Sequence, residues 1–402
     1  MGEITNFGLA ILVASAILGA AVLSNKLSER IPIPAPAIFL LAAAITVHFW
    51  PALGRAISIV GVERVAVVAL ILILFDGGAR IGWRRFRAAA VPITVLGIAG
   101  TFTTAVLITL AGRYLFDFSW TGAGILGAAL APTDPAVMFS VLGNHEIGGG
   151  TGTILEGESG VNDPVGIALM IGMIEFATTD NATPWVVVRE FALEMSIGLA
   201  VGVAGAWLVL YSLRRLTLAN PALYPLRSLA AAGVIYGVAA VAHGSGFLAV
   251  FVAGVLIGDA DYPFRRDVER FHTSLASLAE VVVFIGLGLT VHKVNLAPVW
   301  KDGLLIALVL AFLARPLAIA PLLVPLRMRR NERIFVMWSG LKGAVPILLA
   351  AFALIQHVPG SDRIYGIVFV VVAFSVIFQG STVPFAARRL GIPMRLVYRG
   401  EP

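Results

Sequence analysis

Apolar residues run along this chain in long blocks, separated by short polar stretches rich in Gly, Pro and Arg, and not in the strict two-residue alternation of a half-buried strand. A helix needs about 20 mainly apolar residues to cross a hydrocarbon layer. That ruler predicts spans near residues 4–25, 33–50, 63–79, 88–112, 119–142, 153–177, 185–213, 226–242, 245–258, 273–290, 298–322, 332–356 and 364–387. The expected fold is therefore an all-α integral membrane protein of about thirteen transmembrane helices. The pair of spans around His243-Gly244-Ser245-Gly246 is also compatible with one interrupted segment. No loop is long enough to fold alone, so residues 1–402 are expected to form a single transmembrane domain ending in a short cytoplasmic tail, 391–402.

Composition gives the physical reason for the blocks. Of 402 residues, 59% are hydrophobic and 13% charged, where a soluble domain carries about 25% charged residues. A globule exposing so much apolar surface would aggregate in water, which excludes a water-soluble enzyme. Lys and Arg number 29 against 23 Asp and Glu, a formal charge of +6. A basic balance can signal nucleic acid, but here its distribution decides otherwise. Counted over alternate loops with the N-terminus outside, 20 basic residues fall on one side and 7 on the other. That bias predicts a multi-pass inner-membrane protein with a cytoplasmic C-terminus and no nucleic-acid partner. Cysteine is absent, which rules out disulfides and thiolate metal sites. The apolar N-terminus has no basic residue before Lys26, so it is expected to be a first span and not a signal peptide.

Eight charges fall well inside predicted spans: Asp76, Asp134, Glu158, Asp163, Glu194, Glu280, Arg315 and Lys342. At roughly 2.5–3.5 kcal/mol each at a helix centre, leaving them unpaired would cost on the order of 20 kcal/mol. That exceeds the roughly 5–15 kcal/mol stability of a typical protein. They must be paired, protonated or hydrated, and a hydrated ion path supplies all three.

The densest group is Gly157-Glu158-Ser159-Gly160-Val161-Asn162-Asp163-Pro164. Glu158 and Asn162 share a helix face, as do Ser159 and Asp163, so carboxylate, hydroxyl and amide oxygens converge. These are hard ligands suited to a small alkali cation. The alternative is a polar helix N-terminus capped by Glu158 and Ser159 and broken by Pro164. A second feature, Ala131-Pro132-Thr133-Asp134-Pro135, lies in the middle of the fifth span, where two prolines remove backbone donors and should break the helix. The twelfth span carries a matching interruption, Ser339-Gly340-Leu341-Lys342-Gly343-Ala344-Val345-Pro346. Interrupted spans at corresponding positions of two halves point to inverted repeats with a site where the two interrupted helices cross at mid-membrane. The repeats would be about 1–178 and 226–390, joined by a linker helix at 185–213, with Lys342 countering the partial charges of the half-helix ends.

The remaining charges support weaker expectations. Asp76 is open to two readings, a pathway residue or a solvated helix end. Glu280 and Arg315, on adjacent spans, are expected to form a structural ion pair, and Glu194 is expected to lie shallowly without a partner. His243 and His272 are expected to be structural histidines, since no metal spacing accompanies them.

Taken together, Pro132-Thr133-Asp134-Pro135-Ala136, Glu158-Ser159-Gly160-Val161-Asn162-Asp163-Pro164 and Trp338-Ser339-Gly340-Leu341-Lys342-Gly343-Ala344-Val345-Pro346 resemble the signature segments of the NhaP-type monovalent cation:proton antiporters, bacterial relatives of sodium/hydrogen exchangers. The resemblance extends over nearly the whole chain. It implies that Asp163 alternately binds a proton and an alkali cation, with Asp134, Thr133 and Ser159 as further cation ligands and Asn162 supporting them. It also implies that Glu158 pairs with a basic residue on the twelfth helix, here Lys342 where the family usually has Arg. Relatives with two adjacent aspartates are electrogenic, so Asn162-Asp163 implies electroneutral exchange of one cation for one proton. The transported ions would be H⁺ and Na⁺ or K⁺, with Li⁺ a third candidate, and no cofactor is implied. Alternating access, a homodimer and a role in pH homeostasis are further implications. Some relatives carry a cytoplasmic regulatory domain after the last helix, which implies that this chain either lacks one or has been shortened.

Two other function classes fit the sequence less well. A passive cation channel would need no proton coupling, and no filter segment such as Thr-Val-Gly-Tyr-Gly occurs. An intramembrane enzyme could use paired aspartates, but neither lies in a Gly-x-Gly-Asp context, and His-Glu-x-x-His and Gly-x-Ser-x-Gly are both missing.

Overall fold

A computed structural model describes residues 34–142, 145–179, 182–326 and 328–396, with isolated helical positions at Gly8, Leu12, Ser15 and Gly19. The expected first span, 4–25, lies outside the described residues apart from these positions. The described helices of eight or more residues are α1 (Ala35–Phe49), α2 (Ile59–Ala88), α3 (Ala90–Leu115), α4 (Trp120–Leu130), α5 (Pro135–Leu142), α6 (Gly149–Thr178) and α7 (Trp185–Arg215). They continue as α8 (Leu223–Val241), α9 (Gly246–Gly258), α10 (Arg265–Thr290), α11 (Trp300–Leu323), α12 (Arg330–Trp338), α13 (Ala344–Ile355) and α14 (Ser361–Arg389). Seven helices among the described residues are long and apolar enough to cross a membrane. A helix satisfies its backbone internally, which is why apolar segments of this length adopt no other form in lipid.

Among the described residues the regular structure is helical apart from one short antiparallel ladder that the sequence pattern did not signal. There β1 (His145–Ile147) pairs with β2 (Met394–Leu396), and Gly148 N donates to Pro393 O at 2.7 Å. This ladder fastens the start of the expected tail to the loop between α5 and α6. The two spans around His243 are separate helices, α8 and α9, joined by a turn in which Ser245 N donates to Glu194 O at 2.8 Å. Glu194 itself is buried.

Small residues set the tightest packing. Gly78 of α2 faces the backbone of α9 at Phe251 and Val255, and Gly254 and Gly258 of α9 face the carbonyls of Phe75 and Ala79 in return. A methyl group at any of these positions would run into backbone, so the two helices touch main chain to main chain. At the other extreme α7 keeps an apolar face exposed, with Leu199, Val203, Trp207 and Tyr211.

The centre of the bundle is α6. It is buried along most of its length, including every residue from Gly157 to Met170. It starts at Gly149 and runs through Pro164 without a break, so Glu158 and Ser159 lie more than two turns inside the helix. That removes the capping alternative. Against α6 stand the two interruptions expected from sequence, residues 131–134 between α4 and α5 and residues 339–343 between α12 and α13. Asp134 N donates to Leu341 O at 2.8 Å, tying one interruption directly to the other.

Candidate ion-binding site

At the first interruption the prolines leave carbonyls without helical donors, and Lys342 from the second interruption supplies them. Its Nζ donates to Ala131 O at 2.9 Å and to Pro132 O at 2.8 Å, with the side chain wholly buried. These carbonyls continue from the C-terminal end of α4, where partial negative charge accumulates, so an ammonium there is well placed. Gly343 allows the close approach: a Cβ at this position would overlap the Asp134 carboxylate.

Thr133 is clamped to α6. Asn162 Nδ2 donates to Thr133 Oγ1 at 2.7 Å, and Thr133 N donates to Asn162 Oδ1 at 3.3 Å. Because its oxygen already accepts from Asn162, the Thr133 hydroxyl has its proton available for Ser159 Oγ, 3.3 Å away. One turn below Ser159 sits Asp163, also buried. Its Oδ1 has no hydrogen-bond partner among the described residues, and the charges acting on it are those of Asp134 and Lys342. A buried carboxylate oxygen in that position calls for a proton or a cation. Among the described residues no three or more His, Asp or Glu converge as a metal cluster. The oxygens brought together instead are mixed, from carboxylates (Asp163, Asp134), hydroxyls (Thr133, Ser159) and an amide (Asn162).

Two expected pairings are corrected. Glu158 does not meet Lys342, whose ammonium is taken by the α4 carbonyls. Arg315 does not meet Glu280. Instead Arg315 of α11 pairs with Glu158 of α6, Nη2 to Oε1 at 2.6 Å. The contact is a close ion pair and not an aligned hydrogen bond, since Arg315 Nε and Nη2 and Glu158 Oε1 all lack one. Gly340 leaves room for the guanidinium, because a Cβ there would contact Arg315 Nε. Glu280 is half-buried on α10, and the charged groups nearest in effect are Asp134 and Arg80. Asp76 is buried, pairs with Arg80 at 2.6 Å and accepts from Thr273 Oγ1 at 3.1 Å. A solvated helix end does not describe it.

Three π-helical turns escaped the sequence reading: Val95–Gly100 in α3, Leu310–Ala314 in α11 and Ser375–Gln379 in α14. The first packs Gly97 against Val161 and the Glu158 carbonyl, the second immediately precedes Arg315, and the third contacts the Lys342 segment. Such turns gather at functional sites. Ser375 and Gln379, a polar pair four residues apart in an apolar span, also reach this segment, and that spacing is their signal in the sequence.

Comparison with known proteins places the chain in a family. A family model described as the sodium/hydrogen exchanger, transmembrane, matches residues 12–389. The K⁺/H⁺ antiporter NhaP of Alkalimonas amylolytica is 34% identical over 387 residues, covering 95% of this chain and 67% of that protein. The K⁺/H⁺ antiporter NhaP2 of Shewanella sp. (strain ANA-3) is 30% identical over 380 residues, covering 94% and 66%. The Na⁺/H⁺ antiporter NhaH of Halobacillus aidingensis is 27% identical over 344 residues, covering 82% and 84%. The chain thus spans about two thirds of the length of the two K⁺/H⁺ antiporters. The solved sodium proton antiporter MjNhaP1 of Methanocaldococcus jannaschii shares the fold, with a TM-score of 0.79 at 22% identity, covering 93% of this chain and 99% of that one. With the family match running almost end to end, the chain belongs to the sodium/hydrogen exchanger family.

Proposed function

We propose that this protein is a secondary antiporter that exchanges a monovalent cation, Na⁺ or K⁺, for a proton across the membrane. The observation that carries the reading is the buried Asp163 Oδ1, without a hydrogen-bond partner among the described residues and one helical turn from Ser159, whose hydroxyl meets that of Thr133. One carboxylate cannot hold a proton and a cation together. When Asp163 binds the cation its proton leaves, and when it takes the proton the cation leaves, so competition alone couples the two fluxes. Asp163, Asp134, Thr133 and Ser159 supply the cation's oxygens, and Asn162 fixes Thr133. Each form of the site carries one positive charge opposite Asp163, which makes the exchange one for one and electroneutral. The names of the relatives include both K⁺/H⁺ and Na⁺/H⁺ antiporters, which favours these two cations over others.

In this reading the two interrupted helices, α4–α5 and α12–α13, cross at mid-membrane as counterparts in two inverted repeats, about 1–178 and 226–390, with α7 as the linker. The backbone bond from Asp134 N to Leu341 O supports that pairing. Rocking of the repeats exposes the site alternately to either side, in an inner membrane with the N-terminus outside and the protein a homodimer serving pH homeostasis. The test is dissipation of a preset pH gradient in proteoliposomes on adding Na⁺, K⁺ or Li⁺, with the membrane potential free or clamped. Cation-driven dissipation insensitive to the clamp is expected. Cation flux without proton movement would instead identify a channel.

A further inference from the structure

The interruption between α12 and α13 leaves backbone groups without helical partners, and the structure fills two of them from a single place. Gln379 Nε2 donates to Trp338 O at 2.7 Å, and Ser375 Oγ accepts from Lys342 N at 2.8 Å. Ser375 Oγ in turn donates to Gln379 Oε1 at 3.1 Å. Three hydrogen bonds in series therefore run from the last carbonyl of α12 to the amide of Lys342, through two buried side chains on the π-helical turn of α14. A further contact anchors the same end: Trp338 Nε1 donates to Thr382 Oγ1 at 2.9 Å, and Thr382 Oγ1 donates to Gln379 O at 2.6 Å.

We propose that Ser375 and Gln379 are positioning residues for cation binding, a side-chain bridge that stands in for the missing helical turn and keeps the Trp338–Lys342 segment in register. The proposal rests on the antiport reading. Neither side chain hydrogen-bonds to Asp163, Thr133 or Ser159. They act through what the segment carries, since Leu341 O holds Asp134 N and Lys342 Nζ holds the carbonyls of Ala131 and Pro132. Those contacts fix the interrupted segment on which Thr133 stands. On this side a cavity of about 10 Å³ lies between Leu310, Ala311, Arg315, Gly340 and Phe374. That is room for roughly one water. A loosened segment could shift into it.

The test compares wild-type protein with Ser375→Ala, Gln379→Met, their combination and Ser375→Thr in proteoliposomes, reading apparent cation KM, maximal rate and thermal stability. Losing one net hydrogen bond at the site corresponds to about a fivefold change in a binding constant. Each single variant is expected to raise the cation KM by about that factor while the midpoint of unfolding stays close to wild type. The bonds lie in series, so the combined variant should be no worse than the poorer single one. Ser375→Thr keeps the hydroxyl and should restore the KM. Independently, hydrogen exchange at the Lys342 amide should accelerate at least tenfold in Ser375→Ala, as expected when a protecting bond is removed. A KM within twofold of wild type in both Ser375→Ala and Gln379→Met, or unchanged amide exchange at Lys342, would overturn the proposal. If wild-type protein moved no protons with cations, the antiport reading would fail, while the amide exchange would still decide the bridge.

Discussion

Arg315 Nη2 of α11 lies 2.6 Å from Glu158 Oε1 of α6, with both side chains almost entirely buried. The two residues are 157 positions apart in sequence, and their contact ties the central helix to the second half of the chain. Removing one member of a buried pair strands the other charge, at a cost of about 3–5 kcal/mol. Glu158→Gln and Arg315→Gln are each expected to lower stability by about that amount. The combined change to Gln at both positions should recover part of the loss. Thermal unfolding of the purified protein checks this, and equal stability of the singles and the wild type would show that the pair is dispensable.

Lys342 leads to a different expectation, because its hydrogen-bond partners are backbone carbonyls. Lys342→Met strips the Ala131 and Pro132 carbonyls of their donor, and hydrogen bonds to a charged group are worth about 1.5–3 kcal/mol each. Lys342→Arg keeps the charge, but its planar fork does not reproduce a compact ammonium. Exchange should fall at least tenfold in Lys342→Met, the change expected from about 1.4 kcal/mol, and less in Lys342→Arg. Cation-driven pH-gradient dissipation measures both.

Gly343→Ala isolates sterics from charge. The added methyl would occupy the space of the Asp134 carboxylate. Exchange should be nearly lost while the protein still folds, because the displaced group is one side chain at an already irregular turn. Near-normal exchange in Gly343→Ala would show that Asp134 can move without consequence.

Thr133→Val keeps the shape and removes the hydroxyl that accepts from Asn162 and meets Ser159. One stranded amide donor costs about 1–3 kcal/mol. The apparent cation KM should rise by roughly five- to a hundredfold, the range that cost implies if it is felt in binding. A concentration series of Na⁺ or K⁺ against initial rate gives the answer.

Much of this architecture was legible in the sequence because lipid makes the code simple. Length and apolarity placed every described span, and Pro132, Pro135, Gly340 and Gly343 marked both interruptions, since proline and glycine act locally. The choice of ion-pair partners was not legible. Whether Glu158 meets Lys342 or Arg315 depends on how α6, α11 and α12 rotate about their axes, and near-uniform hydrophobicity leaves no stripe from which to read that rotation. The same reason hid Glu280's surroundings. The three π-helical turns leave no composition mark, and the β1–β2 ladder joins two segments too short to show a period.

The most direct test of the central claim is exchange by Asp163→Asn in proteoliposomes carrying a preset pH gradient. The amide keeps the shape of Asp163 and removes the charge for which proton and cation compete. The account predicts a folded protein that no longer dissipates the gradient on addition of Na⁺ or K⁺, beside a wild type that does so whether or not the potential is clamped. Proton-coupled cation flux retained in Asp163→Asn would contradict it.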